Sequence, residues 1–166
     1  MPTAKPKPEE KEPTVADLRH MADLYHVPIT DATLDGVAKG GLTPQKATAF
    51  EEYIKTAAQG LYPTLAPQIK AGIPTAYLLD PYRQIAKQKL GDDYEPNFQS
   101  DPAATAALTG GTDPQSGRPA PMSLDQWKTH LMTAPAFGYD KTPEAISRAH
   151  ESMQALAQSI HEGGQQ

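Results

Sequence analysis

Proline repeatedly follows threonine or aspartate in this chain, for example at Thr43, Asp80, Asp101 and Thr142. A threonine or aspartate side chain caps the first turn of a helix, and proline fits into that turn because its missing N–H has no helical partner there. Elsewhere in a helix, or in a central strand, proline removes a hydrogen bond. The 17 prolines therefore confine regular structure to short segments with marked starts.

Apolar residues recur three or four positions apart after these starts, which is the spacing of one helix face. The clearest run follows Thr43 and consists of Ala47, Phe50, Ile54, Ala57 and Leu61. No segment alternates apolar and polar residues as a half-buried strand does, and valine occurs only three times. The sequence therefore predicts an all-α fold of about six to eight short helices with proline-marked starts.

Capping residues and helix breakers predict where the other helices lie. One helix is expected after Thr14, which forms a capping box with Asp17, and a second after Thr30 or Asp31. Further helices are expected within 63–72, within 75–91, after Asp101, over 123–132 and from Thr142 to Gly163. Within 75–91, the Asp80–Pro81 pair leaves two alternatives, which are one kinked helix or two abutting helices. On the last helix, Ala145, Ala149, Met153, Leu156 and Ile160 are predicted to share one side.

Length and local composition predict one helical domain with flexible ends. Residues 1–13 alternate proline with lysine and glutamate and contain no apolar stretch, so we expect a flexible charged arm. Residues 14–162 have the length of one ordinary domain, with a subdivision near 92–122 as the alternative, and 163–166 are expected to form a flexible tail. Residues 110–122 hold three glycines and three prolines, which predicts a long loop.

The composition excludes several classes of function. The chain has 15 Lys and Arg against 20 Asp and Glu, and its net charge of −5 supplies no cationic field for a phosphate backbone. It has no cysteine for a disulfide, a thiolate metal site or a nucleophile. No window approaches the roughly 18–20 apolar residues of a membrane span. We therefore expect neither general nucleic-acid binding nor membrane insertion.

Residues of the types that bind metals or catalyse reactions are scattered along the sequence. The five histidines, at positions 20, 26, 130, 150 and 161, show no paired-ligand spacing. Glu51 and Glu52 point about 100° apart on a helix, so they cannot face one substrate. The glycine-rich stretch lacks the GK[ST] of a phosphate-binding loop. We expect no enzymatic activity, no metal and no cofactor.

Residues 14–41 offer an alternative function. Within them, LRHMADLYHVPITDATLDGVAKGG resembles the helix-turn-helix of repressor-like proteins, which implies a small DNA-binding regulator in the cytoplasm. The chain departs from that pattern, because His26 stands at a turn position usually occupied by glycine. The recognition helix would also carry Asp31 and Asp35 against Lys39 alone. Since carboxylates oppose phosphate attraction, two packed helices of an antiparallel corner are the simpler interpretation.

Aromatic and arginine residues are the candidate partner contacts, because Trp, Tyr and Arg dominate interface hot spots. They lie around the Asp80–Pro81 pair, in the 110–122 loop and after the start of the 123–132 helix: Tyr77, Tyr82, Arg83, Arg118, Trp127, Phe137 and Tyr139. In a chain with few large apolar residues, Trp127 also fits the alternative role of a core anchor.

Three stretches taken together resemble a segment of phage virion-associated structural proteins. They are YPTLAPQIKAGIPTAYLLDPYRQIAKQKLG at 62–91, ALTGGTDPQSGRPAPMSLDQWKTHLM at 107–132 and PAFGYDKTPEAISRAH at 135–150. The shared order is a Tyr-Pro, a Pro-Tyr, a Met-Ser-Leu helix and an aromatic-x-x-Thr-x-x-Ala stretch. The resemblance implies a non-enzymatic, minor component of a phage particle and assigns no catalytic residue.

The resemblance also implies where such a chain acts and what it binds. Its partners would be portal, neck, tail or internal virion proteins, and it would reside in a virion assembled in the host cytoplasm. The helical faces would dock to a larger partner, and residues 1–13 and 110–122 would become ordered on binding. A cell-wall-cleaving accessory is a further alternative, and the oligomeric state stays open.

Overall fold

The computed structural model describes residues 12–163, where regular structure is almost entirely helical. This part of the chain contains eight α-helices: α1 (Val15–Leu24), α2 (Asp31–Ala38), α3 (Pro44–Leu61), α4 (Ala66–Lys70), α5 (Thr75–Leu90), α6 (Pro102–Thr109), α7 (Leu124–Thr133) and α8 (Pro143–Gly163). It also contains two short strands, β1 (Gly111–Thr112) and β2 (Pro119–Ala120), and 3-10 turns at Pro63–Leu65, Pro135–Phe137 and Tyr139–Lys141. The predicted all-α fold class is confirmed.

Six of the eight α-helices in the described residues begin after a predicted capping residue. Thr14 and Asp17 form the capping box of α1, and Ser123 and Gln126 form that of α7. The Thr43 hydroxyl accepts a hydrogen bond from a backbone N–H in the first turn of α3 at 3.3 Å. Each cap satisfies a donor that the helix itself leaves without a partner, which explains why so proline-rich a chain still forms well-defined helices.

Helix α5 settles the two alternatives for 75–91, because it is one helix that contains Pro81. It begins after Pro74, whose carbonyl accepts a hydrogen bond from the Tyr77 N–H at 3.1 Å. The Asp80–Pro81 pair is therefore not a helix start. Since Pro81 has no N–H, α5 lacks one of its interior hydrogen bonds at this point.

Residues 110–122 form the predicted long loop, and a pair of two-residue strands that the sequence did not predict closes it into a β-hairpin. Strands β1 and β2 pair antiparallel, with Gly111 opposite Ala120 and Thr112 opposite Pro119. Glycine is required at 111 by close approach, because a Cβ there would lie 2.3 Å from a backbone carbonyl oxygen of the facing segment. Two-residue strands are too short to show alternation, so the pattern could not reveal them.

The described residues divide into two compact units inside α5, at a point upstream of the 92–122 stretch where the sequence suggested a subdivision. Unit 1 comprises the described residues up to Leu78, and unit 2 begins at Leu79. Unit 1 is built around α3, which packs against α1, α2 and α4. The buried side chains of these four helices are Leu18, Ala22, Leu34, Phe50, Ile54, Ala58 and Ile69. On α3, Phe50 and Ile54 occupy the predicted core positions, whereas Leu61 is exposed.

The turn between α1 and α2 places His26 at a φ of 54°, in the left-handed region. Glycine is favoured there because it has no Cβ. The structure thus has a positive φ at the position where the helix-turn-helix pattern usually has glycine. Across the turn, Arg19 of α1 forms an ion pair with Asp31 of α2.

The predicted N-terminal arm and C-terminal tail lie mostly outside the residues that the structure describes. Residues 1–11 of the arm and 164–166 of the tail lie outside the described residues, and 12–13 have no regular structure. Among the helices of residues 12–163, none combines the length and the apolar character that crossing a membrane requires.

Candidate interaction surface

Helix α8 carries an apolar face that is exposed to solvent along its length. Four large side chains on this face are 51–67% exposed, and every residue from 146 to 161 is exposed. We call this surface the α8 face, and its members are Ile146, Ala149, Met153, Leu156 and Ile160. Single exposed apolar residues are common on proteins, but a contiguous apolar stripe is typical of an interaction site.

The geometry of α8 separates apolar from charged side chains. At 100° per residue, the α8 face occupies an arc of about 80°, and a rise of 1.5 Å per residue makes it about 21 Å long. Arg148 and Glu151 fall on the opposite side of the helix. The helix therefore offers a narrow, uncharged strip, which is the shape that a second helix fits.

The first turn of α8 is fixed within unit 2 by a cap and an ion pair. The Thr142 hydroxyl accepts a hydrogen bond from the Ala145 N–H at 3.3 Å. The Lys89 Nζ, on a side chain only 8% exposed, lies 2.6 Å from Glu144 Oε1. The hydrogen bond from this ammonium lowers the pKa of the Glu144 carboxyl, and the charge of Arg148 acts in the same direction. These bonds hold the base of α8 while the remaining turns stay exposed.

Two of the predicted contact residues, Tyr82 and Trp127, lie in the aromatic core of unit 2. Trp127 is fully buried, donates its indole N–H to the Tyr82 carbonyl at 2.9 Å and meets the rings of Phe98 and Phe137 at 6.2 and 5.7 Å. The Tyr82 hydroxyl donates to the Met122 carbonyl at 2.6 Å, and burial raises its pKa. Because both side chains are buried, neither lies on a surface that a partner could contact, and Trp127 is a core residue of unit 2.

The other predicted contact residues differ in exposure and pairing. Tyr77 is 63% exposed and Arg118 is exposed, whereas Arg83 is partly buried and forms an ion pair with Glu95 at 3.1 Å. Phe137 and Tyr139 are half-buried in the 3-10 turns before α8. Because Tyr82 and Trp127 belong to the core, the seven predicted residues do not form one exposed surface.

Unit 1 has an open apolar recess of about 410 Å³ between α2 and α3. Its lining includes Val37, Ala49, Phe50, Tyr53 and the stem of Lys46. The Lys46 ammonium donates hydrogen bonds to two backbone carbonyls, at 2.7 and 2.8 Å. Since those bonds occupy the lysine, the recess presents mainly apolar atoms.

The sequence predicted most of the α8 face but left out Ile146. The signal for Ile146 was its position three residues before Ala149, which continues the spacing of the face. Periodicity gave no information on whether another part of the chain covers the face, since that depends on tertiary packing.

Within residues 12–163, no group of three or more His, Asp or Glu side chains converges as metal ligands. Comparisons of the chain with protein-family models, with curated proteins and with solved structures found no significant match.

Proposed function

We propose that this chain is a non-enzymatic interaction protein and a minor component of a phage particle. The observation that carries the interaction role is the exposed α8 face on a helix whose base is held by the Lys89–Glu144 ion pair. The phage setting is supported by the resemblance of 62–91, 107–132 and 135–150 to virion-associated structural proteins.

The energetics of the α8 face support a role in binding. Met153, Leu156 and Ile160 are each 60% exposed or more, and Ile146 is 51% exposed. Covering the exposed part of one such side chain contributes about 1–2 kcal/mol, because full burial contributes about 1.5–3 kcal/mol. Four of them on one strip offer a partner several kcal/mol before the costs of association.

The particle assignment is tested by quantitative mass spectrometry of gradient-purified phage particles from the source culture. The chain is expected at a reproducible, minor ratio to the major capsid protein. A Leu156→Glu variant places a charge on the α8 face, and we expect about a tenfold drop in its copies per particle. Gln158→Glu adds the same charge on the other side of α8 and should leave the ratio unchanged. Absence of the wild-type chain from intact particles, while it is abundant in the lysate, would overturn the proposal.

One observation favours the competing function of a helix-turn-helix regulator. His26 has a positive φ at the turn position where that motif usually has glycine. Against it, Asp31 and Asp35 are exposed on α2, where a recognition helix would need attraction to phosphate. A gel shift at low salt separates the two functions, since groove binding would appear there and fade steeply with added salt.

A further inference from the structure

We propose that the α8 face binds the α8 face of a second copy of this chain, as a short two-stranded coiled coil. The inference rests on the proposed function, because it names a partner for the same surface. It follows from the spacing of the apolar residues, from the placement of charges and from the composition of the rest of the chain.

The spacing of the α8 face is that of a coiled-coil seam. Its five residues are separated by three, four, three and four positions, so Ile146, Met153 and Ile160 take one core position of the heptad and Ala149 and Leu156 the other. Isoleucine at the first core position with leucine at the second favours two strands. Amphipathic helices that pack on other surfaces share this spacing, so the flanking positions have to decide the partner.

The positions that flank the seam carry no Asp, Glu, Lys or Arg. They are occupied by Ala145, His150, Ser152, Ala157 and Ser159. Flanking positions normally set partner choice through opposite charges. A charged partner helix would find no counter-charge on α8, whereas a second copy brings no like charges into contact. The uncharged flanks therefore suit an identical helix.

No segment among the described residues of unit 2 covers the α8 face. Within unit 2, every residue from 146 to 161 is exposed. The structure does not describe MPTAKPKPEEK at 1–11 and GQQ at 164–166. Among these residues, Met1 is the single large apolar one. Proline, lysine and glutamate are poor cover for an apolar strip, so these stretches do not compete with a second copy for the α8 face.

The length of the seam sets the strength of the pairing. From Ile146 to Ile160 it spans about two heptads, whereas a stable coiled coil usually sustains three or four. We therefore expect a reversible dimer whose population rises with protein concentration rather than an obligate one.

Sedimentation velocity of the purified full chain, from about 5 to about 500 µM, tests the pairing. We expect the average mass to rise with concentration from 17.9 kDa towards twice that value. Leu156→Glu should raise the dissociation constant at least about tenfold, and Gln158→Glu should leave it within about twofold. Both substitutions replace one good helix former by another. The far-UV circular dichroism of both variants should therefore match that of the wild type, which excludes a folding defect.

The outcomes separate this inference from the proposed function. A wild-type chain that stays monomeric at every concentration, or a Leu156→Glu variant that dimerises as readily as Gln158→Glu, overturns the pairing. A monomeric chain that is nevertheless found in particles overturns the pairing alone. A dimer sensitive to Leu156→Glu that is missing from particles supports the pairing and overturns the particle role.

Discussion

Replacing Trp127 by phenylalanine should lower the free energy of unfolding of the protein by about 2–3 kcal/mol. The variant loses the 2.9 Å hydrogen bond to the Tyr82 carbonyl, a net loss of about 1 kcal/mol. The smaller ring leaves a cavity of about 40 Å³, which at about 24 cal/mol per Å³ costs about 1 kcal/mol more. Weaker edge contacts with rings such as Phe137, now 5.7 Å away, add about 0.5 kcal/mol.

The measurement is urea unfolding followed by far-UV circular dichroism. Fluorescence is unsuitable for the comparison because Trp127 is the one tryptophan in the sequence. Tyr77→Phe is the matched control, since Tyr77 is 63% exposed and its change should cost less than about 0.5 kcal/mol. A Trp127→Phe variant as stable as that control would refute the reasoning that the aromatic core of unit 2 is tightly packed.

Three further substitutions test other parts of the structure. The hydrogen bond from Lys89 lowers the pKa of Glu144 below its ordinary 4.5. The stability that this bond contributes is therefore present above about pH 4.5, and it is lost as the pH falls through the lower pKa of the folded state. Glu144→Gln should therefore flatten the fall in Tm between about pH 5 and about pH 3, and an unchanged slope would contradict this. Ser123→Ala removes the cap of α7 and should cost about 1 kcal/mol in urea unfolding, so an unchanged midpoint would count against the capping box. Gly111→Ala forces a Cβ against the backbone and should destabilise the protein by about 1–3 kcal/mol. The control Gly60→Ala lies in open space on α3 and should stabilise the protein by about 0.5–1 kcal/mol. Equal effects of the two substitutions would refute the close approach at Gly111.

Helix starts could be predicted from the sequence because a cap is a local interaction. The Thr43 cap joins residues three positions apart, and so do the boxes of Thr14 with Asp17 and Ser123 with Gln126. Bonds of this kind are contained in a short stretch of sequence. Most helix bounds therefore follow from it without knowledge of the fold.

Long-range packing decides what the sequence could not show. Pro81 lies inside α5 even though Asp80–Pro81 has the form of a helix start, so the same dipeptide serves two local structures. The hairpin in 110–122 depends on pairing across a turn that strands of two residues do not signal. Trp127 was predicted both as a contact and as a core anchor, and the rings gathered from distant positions decide for the core.

The α8 face shows the same division between local and long-range information. The sequence predicts the apolar spacing of this face but not its exposure. Amphipathic periodicity is identical for a helix that packs on its own core and for one that binds a partner. Deciding between the two requires the positions of all neighbouring elements.

The border between unit 1 and unit 2 has a consequence for how the chain can be divided. It falls after Leu78, four residues into α5, which runs from Thr75 to Leu90. Four residues cannot sustain a helix alone, since the first turn orders several residues for a single hydrogen bond. A protease cut or a gene recombination at that border would therefore dissolve the start of α5, whereas a break at Gly72 or Gly91 leaves the helix whole.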